Sequence, residues 1–229
     1  MSHADWEGQA KFTIDGREVV GYKGETILEV ARREGFDIPT LCYHEALEPY
    51  AACRLCLVEV TTGRRTKLVT SCIYEVAPDI EVKTSTERVI RNRKAVLELL
   101  LARAPDASLI QKLAREYGIE KSRYPLVLND KCILCGLCVR ACHEIIGASA
   151  IGFIDRGTER HVGPPIERLS ERCIGCGTCV YICPTAAITL KDVSKPMPGV
   201  HKHPYDYEAP DCSICGEMNL ESESKVGEK

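Results

Sequence analysis

Residues 130–144 of the chain read DKCILCGLCVRACHE and place four cysteines within eleven positions. The spacing, C-x2-C-x2-C-x3-C, recurs 41 residues later, and a short apolar stretch follows each run. A spacing repeated at a fixed offset indicates that one small unit has been duplicated. The first run contains Cys132, Cys135, Cys138 and Cys142, and the second contains Cys173, Cys176, Cys179 and Cys183.

Composition narrows the possible uses of these thiols. The chain has 229 residues with 14 cysteines, and its 30 basic and 33 acidic residues give a net charge of -3. This balance indicates neither a nucleic-acid partner nor an anionic membrane surface. The stretch MSHADWEGQAKF has no apolar signal-peptide core, and no apolar run is long enough to span a membrane. We therefore expect a cytoplasmic protein, in which crowded cysteines bind metal more often than they form disulfides.

The spacing of the two runs is typical of bacterial ferredoxins with two 4Fe–4S clusters rather than of zinc sites, which usually use two well-separated C-x2-C pairs. In that arrangement the fourth cysteine of each run binds the cluster of the other run. Pro184 follows the last cysteine, as the motif expects, whereas His143 stands at the equivalent place in the first run. The predicted ligand sets are Cys132, Cys135, Cys138 and Cys183 for one cluster, and Cys173, Cys176, Cys179 and Cys142 for the other.

A third group of cysteines lies nearer the N-terminus, with the spacing C-x10-C-x2-C-x15-C. It differs from the plant-type spacing but keeps a long loop, a C-x2-C pair and a distant fourth cysteine. We interpret it as a 2Fe–2S site, with zinc as the alternative. Arg54 and Arg140 lie close to cysteines in the sequence, and we expect them to be solvated or salt-bridged rather than to tune a redox potential. The predicted 2Fe–2S ligands are Cys42, Cys53, Cys56 and Cys72.

The segments around this third group predict a small α+β domain. Residues 10–22 form two alternating stretches around Asp15–Gly16, a strong hairpin signal. GETILEVARREG predicts a short helix that is capped by Thr26 and ends at Gly35. CLVEVTTGRRTKLVTSC predicts a second hairpin, and DIEVKTS a further strand.

Two helices are predicted next, over residues 86–128. In TSTERVIRNRKAVLELLLARAP, Thr84 and Glu87 have the spacing of a capping box and Pro105 ends the helix. DASLIQKLAREYGI predicts a shorter helix that ends at Gly118. The predicted apolar face of the first helix consists of Val89, Ile90, Val96, Leu97, Leu100 and Leu101.

The remaining residues, 193–229, are rich in proline, glycine and charge and predict an extended tail. Two histidines and two cysteines there could form a zinc site, or the cysteines could bind part of a further cluster, or they could be an unliganded pair. These four residues are His201, His203, Cys212 and Cys215.

The order of parts resembles a known family. PTLCYHEALEPYAACRLCLVEV, then VLELLLARAP, then KCILCGLCVRACHEIIGASAIGFIDRG are similar to the N-terminal region of the large iron–sulfur subunit of NADH:quinone oxidoreductase. They also resemble the N-terminal region of iron-only hydrogenases and the diaphorase iron–sulfur subunit of NAD-reducing hydrogenases. The resemblance implies an α+β chain with a β-grasp 2Fe–2S ferredoxin-like domain at residues 9–85, a helical connector at 86–128, a bacterial-type 2×4Fe–4S ferredoxin domain at 129–192 and the tail.

One departure from the family stands in the connector. The family usually carries an additional 4Fe–4S cluster, bound by one histidine and three cysteines just after the LLLA stretch. The matching segment here, ARAPDASLIQKLAREYG, has neither histidine nor cysteine, and Ala104 stands where the histidine would align. The resemblance therefore implies one 2Fe–2S and two 4Fe–4S clusters, without the family's additional one. Three arrangements stay open: the 2Fe–2S cluster lies close enough to another centre, a partner supplies a bridging centre, or the 2Fe–2S cluster is a side branch.

No nucleotide-binding or nucleophile–base motif accompanies the cysteines, so we expect electron transfer rather than substrate chemistry. By resemblance, the partners are a flavin subunit that binds NAD(P) and a catalytic subunit of a hydrogenase, a formate dehydrogenase or an electron-bifurcating complex that uses ferredoxin. Two alternatives stay open: a free-standing multi-cluster ferredoxin, and a zinc-binding structural or regulatory protein.

Overall fold

The structure is a computed structural model that describes residues 8–125, 131–164 and 172–190. All of these residues belong to one compact unit within residues 1–193. The strands are β1 Gln9–Ile14, β2 Arg17–Tyr22, β3 Leu57–Thr62, β4 Arg65–Thr70, β5 Glu81–Lys83, β6 Gly152–Ile154 and β7 His161–Gly163. The helices are α1 Ile27–Arg33, α2 Glu87–Arg103, α3 Ser108–Glu116, α4 Leu137–Arg140 and α5 Thr178–Tyr181, with a π-helical turn at Ala141–Ile145 and a 3-10 turn at Gly157–Glu159.

The N-terminal part is a five-stranded sheet with the order β2-β1-β5-β3-β4. Both predicted hairpins form, and β5 joins them by pairing parallel to β1 and antiparallel to β3. Asp15 and Gly16, at φ 48° and 82°, make the left-handed turn that matches the twist of a hairpin. Thr26 caps α1 through a reciprocal capping box with Glu29. The buried apolar side of α1 and the inward side chains of the sheet form one core.

The connector helices form where the sequence predicts them, but two details differ. Thr86, rather than Thr84, caps α2 by accepting a hydrogen bond from the Val89 N–H. Thr84 does not form the predicted capping box, because its N–H donates to the Asp15 carboxylate at 2.8 Å. The predicted apolar face includes Ile90, which is 37% exposed, whereas Arg93 is buried in the face that packs on the sheet.

The C-terminal part contains α4, the π-helical turn, the β6–β7 hairpin and α5. Gly136 and Gly177 immediately precede α4 and α5, and each follows the second cysteine of its run. The two helices pack against each other. Within the described ranges, no helix combines the length and apolar character needed to cross a bilayer.

Candidate iron–sulfur centres

The cysteines of the N-terminal group come together at one end of the sheet. Cys42, Cys53 and Cys56 lie in the long segment between α1 and β3, and Cys72 follows β4. All four are buried, and the Cys53 N–H donates to Cys42 Sγ at 3.3 Å. Since β3 and β4 are paired from Leu57 to Thr70, the hairpin itself brings Cys56 next to Cys72.

These four thiols form two hydrogen-bonded pairs. The Cys53 thiol donates to Cys42 and, against the opposing effect of burial, lowers the pKa of Cys42 to about 6, while the pKa of Cys53 is raised well above its ordinary value. Cys72 donates to Cys56 in the same way, lowering the pKa of Cys56 to about 6 and raising that of Cys72. The lowered pKa values of Cys42 and Cys56 favour their thiolate forms. This site is therefore suited to binding iron, because the thiolate is the form that coordinates metal.

Ser71 provides a direct test of whether this site fits an iron–sulfur group. Its side chain is fully buried beside Cys56, and its hydroxyl contributes to the lowered pKa of Cys56. Nevertheless Ser71 Oγ makes no hydrogen bond of normal geometry with any atom in the described part of the chain. A buried hydroxyl whose contact with Cys56 lacks normal hydrogen-bond geometry is costly, and sulfur of a bound cluster would supply a better acceptor at this place. The residues present therefore fit the predicted group.

The two C-terminal runs have the same backbone conformation, as a duplication requires. Leu134 and Gly136 have φ of 53° and 77°, and the residues 41 positions later, Gly175 and Gly177, have φ of 68° and 70°. These left-handed residues curl each loop so that successive cysteines turn toward a common centre. Leu134 is the one non-glycine residue of the four, and it adopts a conformation that glycine adopts more readily.

The structure brings the cysteines together across the two runs. Cys142 of the first run lines the same cavity as the first three cysteines of the second run. Conversely, the Cys183 thiolate lies close enough to Cys135 and Cys138 to contribute to their raised pKa values. Both fourth cysteines also accept a main-chain hydrogen bond, from Ala150 N–H to Cys142 Sγ and from Ala187 N–H to Cys183 Sγ, each at 3.2 Å.

Burial and crowding both oppose ionisation of the thiols in these runs. Burial, joined by neighbouring thiolates, raises the pKa of Cys135 to about 11, of Cys138 to about 12 and of Cys179 to about 11. Among the residues that the structure describes, no three His, Cys, Asp or Glu side chains converge tightly enough to hold a single metal ion.

The loop that carries Cys42, Cys53 and Cys56, here called the 2Fe–2S loop, shares one apolar cluster with the first C-terminal run of cysteines. That run is here called the first cubane run, after the cubane shape of the 4Fe–4S cluster it is predicted to bind. Cys42 and Cys53 are buried in it together with Cys135, and the Cys42 thiolate contributes to the raised pKa of Cys135. Polar contacts join the same two segments, because the Glu48 N–H donates to the Glu144 carboxylate at 3.0 Å. The two predicted centres are therefore neighbours within the fold.

Arg140 is a residue of this junction that makes contacts the sequence does not predict. Arg54 is exposed, as predicted, but Arg140 is half-buried and has no ion pair within the described ranges. It donates instead to the main-chain carbonyl of Cys42 at 2.8 Å. No spacing in the sequence could reveal this contact, because the two residues are 98 positions apart.

The connector segment that lacks the family's additional ligands is filled with apolar side chains. Ala104 is fully buried, and so are Ala107 and Ile110. All three belong to the cluster that contains Cys42 and Cys135. The four tail residues considered as ligands, His201, His203, Cys212 and Cys215, lie outside the described residues.

Comparison with family models gives three matches along the chain. A 2Fe–2S iron–sulfur cluster binding domain matches residues 8–87, and a 4Fe–4S dicluster domain matches residues 126–190. A second 4Fe–4S dicluster domain matches residues 172–217, which includes the second run and the Cys212–Cys215 pair. The expected order of cluster-binding domains in an α+β chain is thereby confirmed.

Curated relatives share this region but are much longer. An NADH-quinone oxidoreductase chain of Rhizobium meliloti is 33% identical over 178 residues, which are 66% of this chain and 21% of that protein. The mitochondrial NADH dehydrogenase (ubiquinone) iron–sulfur protein 1 of Solanum tuberosum is 29% identical over 93% of this chain and 30% of its own length. The chain thus spans less than a third of the length of either relative.

A solved structure matches over most of both chains. A chain of an NAD+-reducing NiFe hydrogenase in the H2-reduced state superposes with a TM-score of 0.67 and 30% identity, covering 78% of this chain and 86% of that one. The protein therefore belongs to the family of iron–sulfur electron-transfer proteins that includes this hydrogenase chain and the N-terminal region of the large iron–sulfur chain of NADH-quinone oxidoreductase.

Proposed function

We propose that this chain relays electrons within a multi-subunit NAD(P)-linked oxidoreductase. One partner would be a flavin subunit that binds NAD(P), and the other a catalytic subunit of a hydrogenase, a formate dehydrogenase or an electron-bifurcating complex. The similarity to a chain of an NAD+-reducing hydrogenase supports this class of complex. The observation that carries the proposal is the burial of cysteines from two predicted centres, Cys42 and Cys135, in one apolar cluster.

The proposed ligand sets follow the groups that the structure brings together. When bound, such clusters accept and release one electron at a time. The exchange of the fourth cysteines is supported by the cavity that Cys142 shares with the second run. The sets are Cys42, Cys53, Cys56 and Cys72 for a 2Fe–2S cluster; Cys132, Cys135, Cys138 and Cys183 for one 4Fe–4S cluster; and Cys173, Cys176, Cys179 and Cys142 for the other.

The protein's own residues would fix the spacing and exclude water. Leu41, Leu55 and Ile133 are buried around the junction of the first two centres. The second run lies nearer the solvent, since Cys176 is exposed and Ile174 is 62% exposed. We propose that this outer end faces the redox partner, because an electron must leave close to the surface of the chain.

We propose that the 2Fe–2S centre connects directly to the first 4Fe–4S centre, without the family's additional cluster. The segment that would hold it contributes Ala104, Ala107 and Ile110 to the same apolar cluster. This packing supports a direct contact between the 2Fe–2S loop and the first cubane run. A bridging centre from a partner is then unnecessary for that step.

Metal analysis of anaerobically purified protein tests the proposal. We expect about ten irons per chain with matching acid-labile sulfide. About fourteen irons would show another cubane, and zinc with little sulfide would refute the electron-transfer role. Co-purification from the native source would then identify the flavin and catalytic subunits.

The tail pair is tested in the same experiment. The family match that extends to residue 217 supports a cluster at Cys212 and Cys215, while the paired histidines support zinc. A double Cys212→Ser, Cys215→Ser variant should lose one zinc per chain in the zinc case and iron with sulfide in the cluster case. Unchanged metal content would leave the pair as free thiols.

A further inference from the structure

Arg140 belongs to the 4Fe–4S part of the chain but reaches into the 2Fe–2S loop. It is the last residue of α4, between Cys138 and Cys142. One terminal nitrogen of its guanidinium donates to the Cys42 carbonyl at 2.8 Å, and the other donates to the Glu48 carbonyl. The two terminal nitrogens of the planar, fork-shaped guanidinium therefore bind the main chain on both sides of residues 43–47.

The side chain is further fixed by an aromatic ring. The guanidinium carbon lies 5.2 Å from the centroid of the Tyr50 ring, within the range of a cation–π contact. Arginine suits this position better than lysine because its planar fork can donate to two carbonyls while stacking on a ring. Arg140 thus holds the loop from Cys42 to Tyr50 in place.

The charge of Arg140 is not balanced by a carboxylate within the described ranges. Among the described residues, no acidic side chain lies within ion-pair distance of its guanidinium, and the nearby Glu144 accepts from the Glu48 N–H instead. Its Nε is buried and has no hydrogen-bond partner in the described part of the molecule. A half-buried, unbalanced cation beside Cys42 indicates that an anionic group belongs at this place.

We propose that Arg140 is a positioning residue of the 2Fe–2S centre, supplied by the 4Fe–4S domain, which raises the reduction potential of that centre. The inference rests on the proposed function. Four thiolates make a bound cluster anionic, and each added electron makes it more so. A nearby fixed cation stabilises the reduced form more than the oxidised form, and hence raises the potential.

The test is a redox titration of the full-length, iron-loaded chain, followed by electron paramagnetic resonance of the 2Fe–2S signal. Arg140→Gln removes the charge, Arg140→Lys keeps it without the fork, and Arg156→Gln removes the charge of an exposed arginine as the control. We expect Arg140→Gln to lower the 2Fe–2S midpoint potential, Arg140→Lys to restore most of it, and Arg156→Gln to shift it much less.

Each other outcome has a separate meaning. Equal shifts in Arg140→Gln and Arg156→Gln would overturn the inference, because any lost positive charge would then suffice. If Arg140→Gln loses two irons and so has no 2Fe–2S signal, the Arg140→Lys variant is used instead. A 2Fe–2S midpoint potential like that of the wild type in Arg140→Lys would support the role of the charge, and a lowered potential would refute it. Wild-type protein without iron and sulfide would refute the proposed function itself.

Discussion

Gly136 lies where the first cubane run touches the 2Fe–2S domain, and its replacement by alanine measures that contact. The residue has φ of 77° and immediately precedes α4. A Cβ added there would lie 3.2 Å from Phe153 Cζ and 3.3 Å from Tyr50 Cε1, closer than carbon atoms normally approach. Gly136→Ala should therefore strain the backbone and also push the Tyr50 ring away from the loop.

Two other glycines separate these effects. Gly177 is the equivalent residue of the second run, at φ 70°, and its Cβ would meet only Leu190 Cδ2, at an ordinary 3.5 Å. Gly147 has φ of 72° and, within the described part of the chain, no atom within 4 Å of the added Cβ. The left-handed backbone alone costs alanine about 1–2 kcal/mol at all three sites. Crowding at a packed position adds about 1–3 kcal/mol for Gly136→Ala.

The assay is anaerobic thermal unfolding of the loaded protein, followed by the visible absorption of the clusters. Cluster loss makes unfolding irreversible, so apparent melting temperatures are compared at one scan rate. With about 2–4 °C per kcal/mol for a chain of this size, we expect a fall of roughly 4–20 °C for Gly136→Ala, and roughly 2–8 °C for each control. Equal falls in all three variants would refute the reasoning, because the contact with Tyr50 would then contribute nothing.

Two further predictions concern which cysteines bind each 4Fe–4S cluster and how the connector helix α2 is held on the sheet. Cys142→Ser should perturb the same cubane signal as Cys179→Ser, and not the one perturbed by Cys138→Ser; a match with Cys138→Ser in electron paramagnetic resonance spectra would show that the fourth cysteines are not exchanged. Arg93→Met removes a buried donor that lies 2.6 Å from a main-chain carbonyl of β3, and should lower stability by about 1–3 kcal/mol. Lys94→Met, at the exposed neighbouring position, should change stability by less than about 0.5 kcal/mol, and similar losses in both variants would argue against the carbonyl contact.

Local signals in the sequence predict the elements of the fold well. Asp15–Gly16 and the alternating strands predict the first hairpin because the turn and the side-chain period are properties of adjacent residues. The capping box at Thr26 predicts the start of α1 for the same reason. The repeated cysteine spacing predicts two equivalent loops, and the matching backbone angles at Gly136 and Gly177 agree with it.

Long-range contacts cannot be predicted in this way. Thr84 has the spacing of a cap, but a carboxylate 69 positions away competes successfully for its N–H. The burial of Arg93 is not predicted, because a charged residue normally lies on the exposed side of a helix. Here its guanidinium donates to a carbonyl of β3 and to the Tyr117 hydroxyl. Such outcomes depend on which groups the completed fold brings together.

The helix α2 shows how the domains remain in contact although the connector holds no cysteine. In its first half, Arg93 donates to the Leu57 carbonyl, next to Cys56, a predicted 2Fe–2S ligand. At its end, Arg103 donates to the carbonyls of Thr158 and Arg160, at 3.3 and 2.8 Å, in the loop between β6 and β7. One rigid helix thus binds main-chain oxygens of both cluster-binding parts. Because the segment after α2 is filled with small apolar side chains rather than with cluster ligands, the two parts can approach closely enough for Arg140 to cross between them.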